Sequence, residues 1–466
     1  MDKTITMTDS KYIKPSKKIK VFFWASIVFL FTLFVLPQYF GIPFPLFDFT
    51  VIRIMIIVMI LLIFGEKQRQ QQLFEVMSRT YSKVLIPYLI VLTYTLVLRV
   101  DINALLNPLI ELISLYLLIY IIQYCLGIKK TLHYLLIFSY IIAFLGLIEF
   151  VIHRSPFSYL ETIKGIYTGA FIRSGQYRIM GPAIHSLGYG LMLIIMIPIC
   201  CFDIEKQEIN ILKNKLLFLA IAANIFFTGS RSTLIVFFLE VVMLALFSPK
   251  VNKKKFFIIG GVFIVIFISM LIVFRNIPFI NSIIIQIVSV IDELLGTTYS
   301  VKFGADISAL SSSSHYREQL KYIFQIDWLN PWIGLGRKRS FACEINGSFI
   351  QSVDNFYIAE YIRYAYPGMI SYIIFLLYFL IRMLKNSIQK KSQISKMLFI
   401  GSLGFCINLL WVDSLQTFKY LYILFAIFSC LPENYENLIN GKRRRVKVIS
   451  KYIKNRDEVI NLEENE

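Results

Sequence analysis

Apolar runs close to the ~20 residues an α-helix needs to cross a bilayer recur along this chain, and they constrain it more than anything else. They fall near residues 21–40, 47–65, 84–98, 107–127, 133–152, 185–202, 215–228, 233–248, 256–274, 366–383, 397–411 and 418–432. Of 466 residues, 57% are hydrophobic and only 17% charged, against about 45–50% and about 25% in soluble domains. The pattern excludes a secreted disulfide scaffold, a disordered chain and a cytosolic enzyme. The expected fold is an all-α polytopic integral membrane protein with twelve transmembrane helices, one per run.

Charge sets the orientation. A balance of 48 Lys+Arg against 29 Asp+Glu would suggest a nucleic-acid partner in a soluble protein. Here the basic residues flank the apolar runs, where they hold the cytoplasmic side, so no nucleic-acid partner is expected. Runs seven and eight are separated only by Thr228-Gly229-Ser230-Arg231-Ser232 and could form one bent helix. Kept apart, with both termini cytoplasmic, they leave 32 basic residues inside and 14 outside, with Arg53 and Lys419 within spans. Merging them would move Lys253, Lys254 and Lys255 outside, against the positive-inside rule. The chain then divides into a cytoplasmic segment 1–20, a transmembrane domain 21–432 and a charged cytoplasmic tail 433–466. The first run follows a basic stretch, as in a signal peptide, but it is long and no small-residue cleavage site follows, so it reads as a retained span. Five of the six cysteines fall in apolar runs and Cys343 lies in a polar loop, so no disulfide framework is readable.

Two outer segments are long, 153–184 and 275–365, and long loops usually carry function. The second contains the apolar stretch Ile283 to Leu295, expected either as a surface-lying helix or as one packing the loop onto the spans. Ten of the 14 outer basic residues are Arg, against 7 of 32 inside. Orientation alone does not favour Arg over Lys, whereas a planar guanidinium fork binds phosphate bidentately. An anionic substrate at the outer face is therefore expected, unless the arginines pair with acids of the same loop.

Three clusters carry the candidate chemistry: Arg178-Ile179-Met180-Gly181 running on to His185, Ser186 and Gly188; Gly229-Ser230-Arg231-Ser232; and His315-Tyr316-Arg317 with Asn330-Pro331-Trp332-Ile333-Gly334-Leu335-Gly336 and Asp354-Asn355-Phe356-Tyr357. Glu360 and Arg363 follow, one and two helical turns after Asn355. There is no nucleotide loop, no nucleophile elbow and no His/Cys set for a metal, so neither metal nor cofactor is expected. Ion carriers place carboxylates deep in their spans, and only Asp48 and Glu240 draw notice there.

In this order the clusters resemble the bacterial O-antigen polymerase and O-antigen ligase superfamily, over most of residues 20–432. The resemblance rests on Arg178-x-x-Gly181 with Ser186 and Gly188, on Thr228-Gly229-Ser230-Arg231-Ser232, and on Arg317, Pro331-x-x-Gly334-x-Gly336 and Asp354-Asn355-x-Tyr357. It implies a multi-pass protein of the bacterial cytoplasmic membrane, a metal-independent glycosyltransferase acting at the outer face on sugar linked to undecaprenyl pyrophosphate. Arg178 and Arg231 would stabilise the departing pyrophosphate, with Arg317 as a third cation and Asp354 as base or acceptor-positioning group. Arg173, His185, Asn355, Tyr357 and Arg363 complete the substrate-binding candidates. Where the ligase branch has a His just before the Asn, this chain has Asp354, which favours a polymerase. Asp354 could equally cap the helix beginning at Phe356. The implied partners are the lipid-linked oligosaccharide, a chain-length regulator and a flippase of the same pathway. Alternatives are a ligase, or a flippase that forms no bond.

Overall fold

The computed structural model describes residues 17–44, 48–167, 171–173, 176–305 and 316–432. Residues 1–16, His315 and the tail 433–466 lie outside the described residues. The chain is mostly helical, and each of the twelve apolar runs carries a helix: α1 (Lys17–Phe34), α2 (Val51–Phe64), α4 (Thr80–Arg99), α5 (Ile102–Ile121), α6 (Gly127–Ile152), α7 (Ser186–Cys200), α8 (Lys215–Phe227), α9 (Arg231–Phe247), α10 (Lys250–Val273), α12 (Phe356–Gln389), α13 (Gln393–Asn408) and α14 (Phe418–Ser429). Two more lie between them, α3 (Lys67–Met77) and α11 (Pro278–Leu295). Among the described residues, strands are limited to hairpins of two-residue and three-residue strands.

Among the described residues, four helical stretches are long and apolar enough to cross a membrane: Thr80–Arg99, Ile102–Ile152, Lys250–Val273 and Phe356–Gln389. The surface argues the same way. Helix α10 turns Phe257, Ile258, Val262, Ile266 and Ile272 outward, each more than half exposed. In water this would be an aggregation surface, whereas in hydrocarbon it is the ordinary exterior of a span. Helices α7 and α14 are the opposite case. Every residue of α14 is buried, as is every residue of α7 but Leu187, and helices apolar on all sides belong at the centre of a bundle. Around α14 the aromatic residues interlock, with Phe379 stacked on Phe425 at 4.1 Å.

Breaks between helices matter more here than the helices. Gly127, at φ 74° and ψ 165°, separates α6 from α5 and the π-turn Ile122–Leu126. Gly229, at φ 61°, separates α8 from α9, so runs seven and eight are two helices. Within α12, Ala365 leaves the helix at φ 57° and ψ −167°, two residues before Pro367. Pro367 has no N–H to offer the Arg363 carbonyl. That carbonyl instead accepts from Gly336 N at 3.0 Å, and the Ile362 carbonyl from Leu335 N at 2.8 Å. The Pro331-to-Gly336 segment thus repairs the kink from outside. It can do so because Gly334 has no side chain: a Cβ there would strike the Arg363 carbonyl and the Tyr364 nitrogen.

Candidate functional site

The Arg178 segment is set by a residue that sequence reasoning passed over. Glu149, fully buried near the end of α6, accepts from Met180 N at 2.8 Å, Gly181 N at 2.9 Å and the Tyr177 hydroxyl at 3.1 Å. A carboxylate taking two backbone N–H groups fixes the turn after Arg178 with charge-assisted bonds. The Arg178 side chain then runs along the turn that ends α8. Its Nε donates to the Thr228 carbonyl at 2.5 Å, and its guanidinium lies 5.1 Å from the Phe171 ring. Gly229 is required there twice over, by its positive φ and because a Cβ would press on Arg178 Nε at 3.0 Å.

Ser230 caps α9, its hydroxyl accepting from Thr233 N at 3.3 Å, which makes Arg231 the first helical residue. Free N–H groups and a positive dipole end already gather at a helix N-terminus, where acidic residues are favoured. A guanidinium added there concentrates positive potential instead of relieving it. Across from it stands Glu293, near the end of α11. Its Oε2 lies 3.2 Å from Arg231 Nε, and its Oε1 accepts from Arg317 Nη1 at 2.9 Å. All three side chains keep about a fifth of their surface open, at 18% for Arg231 and Glu293 and 23% for Arg317. The stretch expected from Ile283 to Leu295 is thus a longer helix, begun by Pro278 and packed against α9.

The corner carrying Glu293 is rigid. Asp292 accepts from the Thr297 hydroxyl at 2.6 Å and from the backbone of Tyr299 and Ser300, both at 2.8 Å. Burial alone would raise its pKa, but hydrogen bonds from Ser300, Thr297 and Tyr299 outweigh that and hold it at about 2.

The structure thus brings Arg178, Arg231 and Arg317 together from three distant parts of the chain, with His185 beside them. His185 caps α7, its Nδ1 accepting from Leu187 N at 3.1 Å, and its ring lies 4.4 Å from Phe171, the ring that also meets Arg178. Arg173 sits in a short hairpin opposite Gln176; its side chain is outside the described residues. Asp354 is not the helix cap. Asn355, immediately before Phe356, takes that position, accepting from Ile358 N at 3.1 Å and donating to the Leu410 carbonyl at 2.9 Å. Asp354 accepts from the Ser352 hydroxyl at 3.2 Å, and the Ser352 backbone bonds the hydroxyl of Tyr316, the neighbour of Arg317. Tyr357 donates to the Cys406 carbonyl at 2.8 Å, a tie between α12 and α13.

Arg363 belongs to a second, closed network. It grips Asp413 through both nitrogens, at 2.5 and 3.3 Å, and also reaches Glu360 at 3.3 Å. Glu360, only 2% exposed, accepts from the Tyr88 hydroxyl at 3.1 Å and lies 3.8 Å from Arg337. Arg337 in turn donates to the Tyr364 hydroxyl at 2.9 Å. Glu111 and Glu360 line one small cleft with Tyr88, Arg337, Tyr372 and Tyr422. Acids in or beside the helices are therefore more numerous than Asp48 and Glu240: Glu111 and Glu149 escaped notice because apolar neighbours dominate any averaged window, and Glu360 was noted only as a neighbour of Asn355. Glu240 is buried between α9 and α13, with neither carboxyl oxygen hydrogen-bonded. No protein-family model matches this chain, and a search of curated proteins gives no match.

Proposed function

We propose that this chain is a polysaccharide polymerase that joins lipid-linked oligosaccharide repeat units at the outer face of the bacterial cytoplasmic membrane. The topology that goes with this reading has twelve crossings, both termini inside, and loops 153–184 and 275–365 outside. The observation that carries it is the convergence of Arg178, Arg231 and Arg317 on the N-terminus of α9. In the proposed reaction an acceptor sugar hydroxyl attacks the donor's anomeric carbon, the glycosidic oxygen–carbon bond forms, and undecaprenyl pyrophosphate leaves with the electron pair. Charge develops on the leaving phosphate, and preorganised guanidinium donors stabilise it there. In this reading Asp354, which does not cap α12, takes the hydroxyl proton or orients the acceptor. The reading calls on no metal and no cofactor, and His185 and Arg173 would border the donor.

Acids within helices favour a second reading. Glu111, Glu240 and Glu360 within helices are what a proton-coupled flippase would carry. One experiment separates the two. Purified protein in detergent, with EDTA and a synthetic lipid-pyrophosphate repeat unit, should give a polymer ladder on a gel. Arg178→Ala and Arg231→Ala should each reduce its rate about a hundredfold or more. No ladder from the authentic repeat unit, together with its movement across liposomes, would hand the assignment to the flippase.

A further inference from the structure

Among the described residues, Glu293 joins both arginines at the mouth of the site, and its two oxygens are divided between them, one to Arg231 and one to Arg317. Two guanidiniums held this far apart by a single small anion form a seat that a phosphate's oxygens could also fill. We infer that Glu293 is an exchangeable stand-in for the donor's diphosphate: it holds the Arg231–Arg317 seat while the site is empty and yields it when a diphosphate enters. The inference rests on the reading of these arginines as a diphosphate clamp and adds how that clamp is loaded and emptied.

Three features make exchange physically reasonable. Each partner is about a fifth exposed, and Glu293 Oε2, buried and without a hydrogen bond where it faces Arg231, regains water when the carboxylate is displaced. The backbone need not move. Asp292 ties the adjoining corner to Thr297, Tyr299 and Ser300, and Gln286 donates to the Phe226 carbonyl at 3.0 Å, so α11 stays in place while one side chain rotates. The guanidiniums remain oriented in the empty site, because Glu293 prevents two like charges from splaying apart into water. The return of the carboxylate also competes with the bound lipid diphosphate after transfer. That helps release a product whose tight binding would otherwise limit turnover.

The test uses the full-length protein in detergent, with EDTA, and titrates inorganic pyrophosphate into it by calorimetry. Glu293→Gln keeps the shape but removes the competing charge, and should bind pyrophosphate about tenfold tighter than wild type, the size expected for two part-exposed ion pairs. Glu293→Asp, one methylene shorter, should fall between the two and serves in its place if the Gln variant does not fold. Arg317→Ala should weaken binding. Gln and Asp variants that bind no tighter than wild type would make Glu293 a fixed structural ion pair and overturn the inference. The ladder assay keeps the two ideas apart. A ladder without the Glu293→Gln gain retains the polymerase and discards the stand-in; the gain without a ladder retains the seat and discards the polymerase.

Discussion

Two arginine clusters stand out in this protein, and they are built on opposite principles. Around Arg231 the cations come from a loop, a helix N-terminus and a distant segment, and the acid shared by Arg231 and Arg317 is about a fifth exposed. Around Glu360 the ions lie at a helix kink, closed in by Tyr88 and Tyr364, and Glu360 itself is all but inaccessible. The first arrangement can trade its carboxylate for another anion; the second can trade nothing without leaving a buried charge unpaired. The arginines of this protein therefore do two jobs, and residue type alone does not say which arginine does which. Surroundings decide it.

The largest expected effect tests the closed cluster. Glu360→Gln removes the negative charge between Arg337 and Arg363, and breaking a buried ion network from one side costs about 3–5 kcal/mol. The variant should lose that much in chemical unfolding or fail to accumulate in membranes. Arg231→Ala, at the open cluster, should change stability by only about 0–1 kcal/mol while abolishing the ladder. If both substitutions unfold the protein alike, the division between a holding cluster and a working one is wrong.

A smaller effect comes from the segment that positions the closed cluster. Gly334→Ala forces a methyl group onto the backbone at Arg363 and Tyr364, which has no flexible end to yield. Overpacking of this kind costs about 1–3 kcal/mol, and it should loosen the kink as well as lower stability. Amide exchange slowed by the Gly336-to-Arg363 and Leu335-to-Ile362 bonds would report it. Unchanged exchange there would mean that the kink stands without its outer strap.

Much of this was legible in the chain, and the rest was hidden for identifiable reasons. Twelve helices follow from apolar runs because backbone polar groups must be satisfied internally in hydrocarbon. The clusters holding Arg178 and Arg231 were legible as glycine-containing segments bordering apolar helices, but the bond from Arg178 to the Thr228 carbonyl is seen only in the fold. Glu293 ends the apolar stretch Ile283 to Leu295, which the sequence leaves open between a surface-lying helix and one packing the loop onto the spans; only the fold shows α11 packed against α9. Glu149 could not be found by averaging, because a lone acid among isoleucines and phenylalanines barely moves the mean, and Glu360, though noted beside Asn355, gave no sign of its partners. Arg363 was grouped with the substrate residues by proximity to Asn355. Its partner Asp413 lies fifty residues away, across two helices.

Asp354 and Asn355 are the closest comparison in the molecule: adjacent, similar in size, and assigned by the fold to different work. The residue directly before Phe356 is the one whose side chain can reach the open N–H groups of the first turn. That residue is Asn355, and Asp354, one step earlier, points instead to Ser352. Asn355→Ala should therefore cost about 1 kcal/mol of stability and loosen the contact of α12 with Leu410. Asp354→Asn should leave stability within about 0.5 kcal/mol, as for a surface change away from any cap or core. Its effect belongs in the rate of polymer formation at saturating substrate, where proton removal from the acceptor is exposed. If instead Asp354→Asn lowers stability and spares the rate, the carboxylate is only a brace for the Tyr316–Ser352 link, and the base must be sought elsewhere.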